Sequence, residues 1–239
     1  MVDHVYCINL ERRPDRRQEA EAEFMKHGLD VEFWNATDGK RDAPEGLKIT
    51  RAEWGCADSH IRIWRDVVEQ NYGTVLVFED DVKILPNFNE KMNQVLEEAP
   101  PQWEFINLGS LDGHDRGIRV SPLLREGATY GTHCYLISNR GARKLGHWNA
   151  EDLRYGIDSQ IARSPYKLYY VDEALANQVS GVNGDQGAYL SWIQGDIGFN
   201  RTLDIDFYLR DLYQKRDWTL IGLSCVVLIY IVFSPPYKQ

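Results

Sequence analysis

The sequence predicts an α/β fold with a mostly parallel central sheet, and three observations carry that reading. Short β-branched and aromatic runs alternate with longer amphipathic stretches along the chain, the order that builds a sheet flanked by helices. The run Val75-Leu76-Val77-Phe78 is apolar without alternation, as a strand covered on both faces must be. The intervening stretches open and close on helix caps. With 239 residues, 43% of them hydrophobic and 12% aromatic, the chain is large enough for one domain with a real core and lies outside the disordered range.

Val2 to Leu10 reads as the first buried strand, and Pro14 starts a helix at a position that suits its fixed φ. That helix carries Phe24 and Met25 on its apolar side and stops at Gly28, before a second strand at Val31-Glu32-Phe33. The next helix is announced by a capping box, Thr50 with Glu53, and by a hydrophobic staple from Ile49 to Trp54. Trp54, Ala57, Ile61, Trp64 and Val68 then recur at helical spacing and mark a buried face. Ser59 and Asp58 fall on the polar side of the same wheel, and His60 falls among Cys56, Ile63, Trp64 and Val67. Gly73-Thr74 ends this helix, and the apolar strand at 75–78 follows. After Pro86 comes a helix through Val95-Leu96, then strands at Phe105 to Gly109 and Thr129 to Ile137. Ser138 caps a short helix closed by Gly146, and Lys167 to Val171 supplies the last clear strand.

Residues 1–200 are therefore expected to form one globular domain, 201–217 a charged connector, and 218–234 a hydrophobic segment. The apolar stretch 219–233 would span roughly 23 Å as a helix, short of the ~30 Å hydrocarbon core of a bilayer. Trp218 and Tyr237 could extend it into the interfaces, which makes a C-terminal membrane anchor the expectation. Lys215 and Arg216 upstream, with a start that lacks a signal-peptide pattern, put the domain on the cytosolic side.

The net charge of -9 and pI near 5.2 speak against a nucleic-acid partner, because no basic stripe is present. Cys7, Cys56, Cys134 and Cys225 form no C-x-x-C pair, so neither zinc nor a disulfide framework is expected.

The chemistry concentrates in Glu79-Asp80-Asp81, at the end of the apolar strand. Adjacent carboxylates at a buried strand end repel one another and resist desolvation, so a positive partner is required. Mg²⁺ and Mn²⁺ take oxygen ligands, and ligands of open α/β sheets bind outside the carboxyl ends of the strands. Strand alternation points Glu79 and Asp81 one way and Asp80 the other, a geometry suited to a metal holding a nucleotide diphosphate. A nucleophilic-Asp phosphatase would want Asp-x-Asp followed two residues on by Thr; here Glu comes first and no Thr follows.

Several blocks, in order, give a family resemblance. Ile8-Asn9-Leu10-Glu11-Arg12-Arg13-Pro14-Asp15-Arg16-Arg17 resembles the opening of glycosyltransferase family 25, the lipooligosaccharide and collagen galactosyltransferase group. Gly55-Cys56-Ala57-Asp58-Ser59-His60-Ile61 with Trp64 resembles its second block, and Val77-Phe78-Glu79-Asp80-Asp81-Val82 its third. Tyr135-Leu136-Ile137-Ser138 with Gly141-Ala142 is similar to a fourth, and Gly156-Ile157-Asp158 sits where a fifth carries an Asp.

The resemblance implies a GT-A fold, a UDP-sugar donor (often UDP-galactose), Mn²⁺ or Mg²⁺, and inversion at the anomeric carbon. It implies that Asn9 and Leu10 line the nucleotide pocket and that Arg13 or Arg16 reaches the phosphates, which a guanidinium fork suits. Arg12 and Arg17 are read as solvated. His60 is expected in the core or close to the donor and metal, and Asp81 and Glu79 as metal ligands with Asp80 beside them. An inverting transfer needs a base for the acceptor hydroxyl; Asp158 is the first candidate, although it also suits a helix N-cap, and Asp112 is the reserve. This sequence departs from the pattern in having no histidine after His147, so a third ligand would have to come from Asp185 or Gln178. The acceptor would be a glycan, a lipid-linked sugar or a protein hydroxyl. The rival reading is a membrane-tethered glycosyltransferase-like binding protein without turnover.

Overall fold

A computed structural model describes residues 1–109 and 117–178. Strand β1 (His4–Asn9) leads through Pro14 into helix α1 (Pro14–Lys26), and β2 (Glu32–Asn35) follows. The short α2 (Gly39–Asp42) precedes the long α3 (Arg51–Glu69), then β3 (Thr74–Glu79), β4 (Val82–Ile84), α4 (Phe88–Glu98) and β5 (Phe105–Asn107). Strands β6 (Ile118–Arg119), β7 (Leu124–Glu126) and β8 (Cys134–Ser138) lead to α5 (Asn139–Leu145). A 3₁₀ turn at Ala150–Asp152, α6 (Ile157–Ala162), β9 (Leu168–Val171) and β10 (Ala176–Gln178) complete the described chain.

The eight-stranded sheet has the order β2-β1-β3-β8-β5-β9-β7-β6, and β4 pairs with β10 in a separate antiparallel ribbon. β1 is parallel to both β2 and β3, and β5 to β9, whereas β8 runs antiparallel to both of its neighbours. β7 is likewise antiparallel to β9 and to β6. The sheet is thus mixed: most strands share one direction, with β8 and β7 reversed.

Alternate side chains of the central strands feed two cores. Tyr6, Val75, Val77, Tyr135 and Ile137 pack under α3, α5 and α6 with Ile61, Trp64, Ala142 and Ile161. Cys7, Leu76, Phe78, Cys134 and Leu136 pack on the other face against Phe24 of α1 and Phe88, Met92 and Val95 of α4. Helices on both faces explain why β3 reads as an unbroken apolar run.

The caps formed as read: Thr50 accepts from the Glu53 backbone while the Glu53 side chain accepts from the Thr50 N–H. Ser138 accepts from Gly141 N–H at the start of α5. Two expectations are corrected. The strand predicted over Thr129 to Ile137 begins only at Cys134, because the preceding segment bonds to a side chain: Asn107 Nδ2 donates to Thr129 Oγ1 and to the Gly131 carbonyl, and Gly131 takes φ +90°. Ser59, assigned to the polar side of α3, is buried; it donates to Gly55 O and accepts from Thr37 N–H at the crossing of the 37–39 segment with α3.

Candidate functional site

The carboxyl ends of β1 and β3 lie side by side, with Ile8 in register with Glu79. Asn9, the last residue of β1, donates Nδ2 to Asp80 Oδ2 at 2.7 Å and to the Arg13 carbonyl at 3.2 Å. Leu10 is half-buried, and its carbonyl accepts from Arg13 N–H, closing the turn into α1. Arg16, in the first turn of α1, donates from Nη1 to Asp80 Oδ1 at 2.9 Å and to Asp81 Oδ2 at 3.5 Å. Gln178 at the end of β10 donates Nε2 to Asp81 Oδ2 at 3.0 Å, delivered there by the pairing of Gln178 with Val82. Three segments distant in sequence, 9–16, 80–81 and the end of β10, therefore meet on two carboxylates.

The alternation expected for Glu79-Asp80-Asp81 is overturned. β3 ends at Glu79 and the chain turns at 80–81, so Asp80 and Asp81 share Arg16 while Glu79 faces elsewhere. Glu79 Oε1 accepts from Thr132 Oγ1 at 2.6 Å and contacts His60 Nε2 at 3.3 Å. Burial pushes its carboxyl up, but the hydrogen bonds from His60 and Thr132 outweigh it and hold the group below the ordinary range.

His60 is fully buried on α3, with Nδ1 3.0 Å from Tyr135 Oη, which in turn lies 2.9 Å from Trp64 Nε1. An indole N–H only donates. Tyr135 therefore accepts from Trp64 and gives its own proton to His60 Nδ1, which leaves Nε2–H to donate to Glu79. This assignment comes from donor and acceptor accounting; it gives every proton in the chain an acceptor. Cys56, His60 and Glu79 each place one ligand atom within 4.8 Å of the others. Nε2 carries a proton to Glu79 and burial drives the Cys56 thiol well up, so the His60–Glu79 pair is a hydrogen-bonded support and Cys56 lies beside it as a thiol.

Asp81 is the unsatisfied member. Its Oδ1 is buried without a hydrogen-bond partner. Burial, and then the Glu79 charge, raise its carboxyl to about 7, against the opposing effects of Gln178 and Arg16. A buried carboxylate oxygen without a donor is costly unless something positive reaches it. Oxygen chemistry, negative charge and one open lone-pair face fit a hard divalent cation; Asp81 would hold it, with Asp80 beside it. Glu79, turned into its own hydrogen bonds, would act through charge. A cleft of about 500 Å³ opens next to the pair, lined by Arg13, Arg16, Lys26, Asp80, Asp81 and Lys83 among others. Arg13 lines that cleft while its guanidinium pairs with Asp15.

Arg12 and Arg17, read as solvated, have partners: Arg12 pairs with Asp38, and Arg17 pairs with Glu21 and lies over the Phe33 ring. Asp158 is not the cap of α6, since Gly156 holds that position. Its side chain is buried and accepts from Gly131 N–H and from Ser159 N–H. Burial raises its carboxyl, and the Glu79 charge adds to the rise. Gly131 bonds Asp158 and the adjacent Thr132 bonds Glu79, so a single loop ties both acids. The segment carrying Asp112 and the one carrying Asp185, together with 201–217 and 218–234, lie outside the described residues. Among the described residues, no helix is long and apolar enough to cross a membrane.

Thr132, Tyr135 and His133 were not singled out as site residues by the sequence. His133 is buried with Nδ1 unpartnered and Nε2 3.3 Å from the Ala176 carbonyl; burial lowers its pKa. Tyr135 lies on β8, the strand that joins the sheet antiparallel between β3 and β5, and Thr132 and His133 lie in the segment leading into it. No local spacing shows that strand's neighbours.

Residues 2–116 match the model of glycosyltransferase family 25 (LPS biosynthesis protein). A glycosyltransferase 25 family member from Aedes aegypti is 36% identical over 168 residues, 60% of this chain and 28% of its own length. Procollagen galactosyltransferase 1-A from Xenopus laevis is 32% identical over 177 residues, 63% of this chain and 29% of its own. A Bos taurus protein named probable inactive glycosyltransferase 25 family member 3 is 31% identical over 168 residues, 60% of this chain and 28% of its own. The chain spans under a third of the length of these relatives.

Proposed function

We propose that this chain, whose residues 2–116 match the model of glycosyltransferase family 25, transfers a sugar, galactose first among the choices, from a UDP-sugar to a hydroxyl acceptor. The acceptor is a glycan, a lipid-linked sugar or a protein side chain, the fold is of the GT-A type, and the anomeric centre inverts. The observation that carries the reading is the unpartnered Oδ1 of Asp81, set beside a cleft with Arg16 and Arg13 on its wall. Mn²⁺ or Mg²⁺ would supply electrostatic stabilisation to the leaving diphosphate. The chain's own residues do the rest. Asn9 holds Asp80 in place, and the turn at Leu10 presents α1 to the nucleotide. Arg13 and Arg16 meet phosphate oxygens, and the His60–Tyr135–Trp64 chain keeps Glu79 charged and fixed. Asp158, oriented by Gly131 N–H, takes the acceptor proton; burial leaves its carboxyl more basic than usual, which suits a base.

Calorimetry with UDP tests this. The chain should bind UDP in the presence of Mn²⁺ and bind it far less without the ion, and Asp81→Ala should remove the difference. Asp158→Asn should keep that binding and lose transfer, so full turnover in the variant would remove Asp158 as base. The names of inactive relatives favour a second reading, a donor-binding protein without turnover. It is preferred if UDP and Mn²⁺ bind together and Asp158→Asn leaves an already silent chain unchanged.

A further inference from the structure

Arg16 is placed against its local preference. A cation in the first turn of a helix opposes the positive end of the helix dipole, yet Arg16 lies in the first turn of α1 and points its Nη1 between Asp80 and Asp81. The carboxylates, not the helix, hold it there. Each of their oxygens has a definite partner except one: Asp80 Oδ2 accepts from Asn9, Asp80 Oδ1 from Arg16, Asp81 Oδ2 from Gln178 and Arg16, and Asp81 Oδ1 from nothing.

We propose that Arg16 and a divalent cation compete for the Asp80–Asp81 pair, and that a diphosphate resolves the competition by drawing the guanidinium onto its own oxygens. This rests on the metal-and-nucleotide reading above and deepens it, by making Arg16 the residue that couples the two ligands. A cation bound at Asp81 Oδ1 lies one carboxylate away from the guanidinium, and like charges at that range repel strongly. Arg16 is half-buried on the wall of the cleft and needs only a side-chain rotation to face into it. A phosphate there accepts a guanidinium in a fork, so the donor removes the repulsion that disfavours the metal. Linkage requires the reverse as well: metal raises nucleotide affinity by the same factor.

Mn²⁺ binding to the full chain, followed by electron paramagnetic resonance with and without UDP, tests the coupling in wild type, Arg16→Met and Arg16→Lys. In wild type, UDP should raise Mn²⁺ affinity. Arg16→Met should bind Mn²⁺ alone about tenfold more tightly, since a charge contact of this kind in a partly exposed site is screened to about that size. Its UDP-induced gain should shrink in proportion, and Arg16→Lys should resemble wild type in Mn²⁺ alone. If Arg16→Met binds Mn²⁺ alone no better than wild type while wild type still shows the UDP effect, competition is wrong and the metal reading survives. If wild type binds no Mn²⁺ with or without UDP, the metal reading falls and takes the coupling with it.

Discussion

Asp81 combines a structural cost and a functional use in one side chain. Its carboxyl is raised to about 7, by burial first and by Glu79 second. The folded chain therefore keeps a proton that the unfolded chain has lost by roughly pH 4, and stability falls as pH rises from about 4 to 7. Asp81→Asn removes the buried charge, so it should stabilise the chain by about 1–2 kcal/mol at pH 8 and change little at pH 5. Denaturant unfolding at the two pH values checks this. Mn²⁺ affinity should run the other way, rising with pH through about 7, because only the ionised carboxylate binds the ion. Tyr135→Phe tests the hydrogen-bond chain. It strands Trp64 Nε1 and His60 Nδ1 in the core, which should cost about 2 kcal/mol, and ¹⁵N shifts should show His60 losing its preference for the Nε2–H form. At this scale Asn9, Arg16, Glu79, Asp80 and Asp81 were singled out from motif order; the structure brings Asn9, Arg16, Asp80 and Asp81 together and turns Glu79 to Thr132 and His60. Thr132 and Tyr135 were not, since nothing near them in sequence says that they face Glu79.

Helix α3 is the element that places His60 against Glu79. It carries Cys56, His60 and Trp64 on its buried face and is fixed at its start by the Thr50–Glu53 box. Its approach to the 37–39 segment leaves no room for a side chain at Gly55, where a Cβ would lie 2.6 Å from Gly39 N and 2.7 Å from Thr37 O. Both are backbone atoms, so the helix must shift to admit one. Gly55→Ala should lower stability by about 2–3 kcal/mol and broaden the His60 ring signals in NMR as α3 moves relative to β3 and β8. An unchanged unfolding midpoint would show that the crossing gives way freely. The capping box, the Ser138 cap and the apolar faces were readable because they are local. The 129–133 segment was not, because its β-like composition is overridden by the side chain of Asn107, a partner more than twenty positions away.

The described residues rest on a sheet whose parallel half was visible in sequence and whose antiparallel insertion was not. Alternating strands and helices give the direction of β1, β2 and β3, and their shared carboxyl edge is where the acidic residues collect. The placement of β8 between β3 and β5 is a long-range pairing that periodicity cannot show. That pairing matters to the site because the segment leading into β8 brings Thr132 to Glu79 and Gly131 to Asp158. The longer helices and the strands β1, β2, β3, β5 and β9 were therefore legible, whereas the short β4, β6, β7, β10 and α2 were not, and sheet order was legible only in part. The most direct test is a crystal grown with Mn²⁺ and UDP and measured at the manganese absorption edge. An anomalous peak about 2–2.5 Å from Asp81 Oδ1, with the diphosphate against it and Arg16 turned to the phosphates, is the expected result. UDP bound with no anomalous density near Asp80 or Asp81, and Arg16 still bridging them, would contradict it.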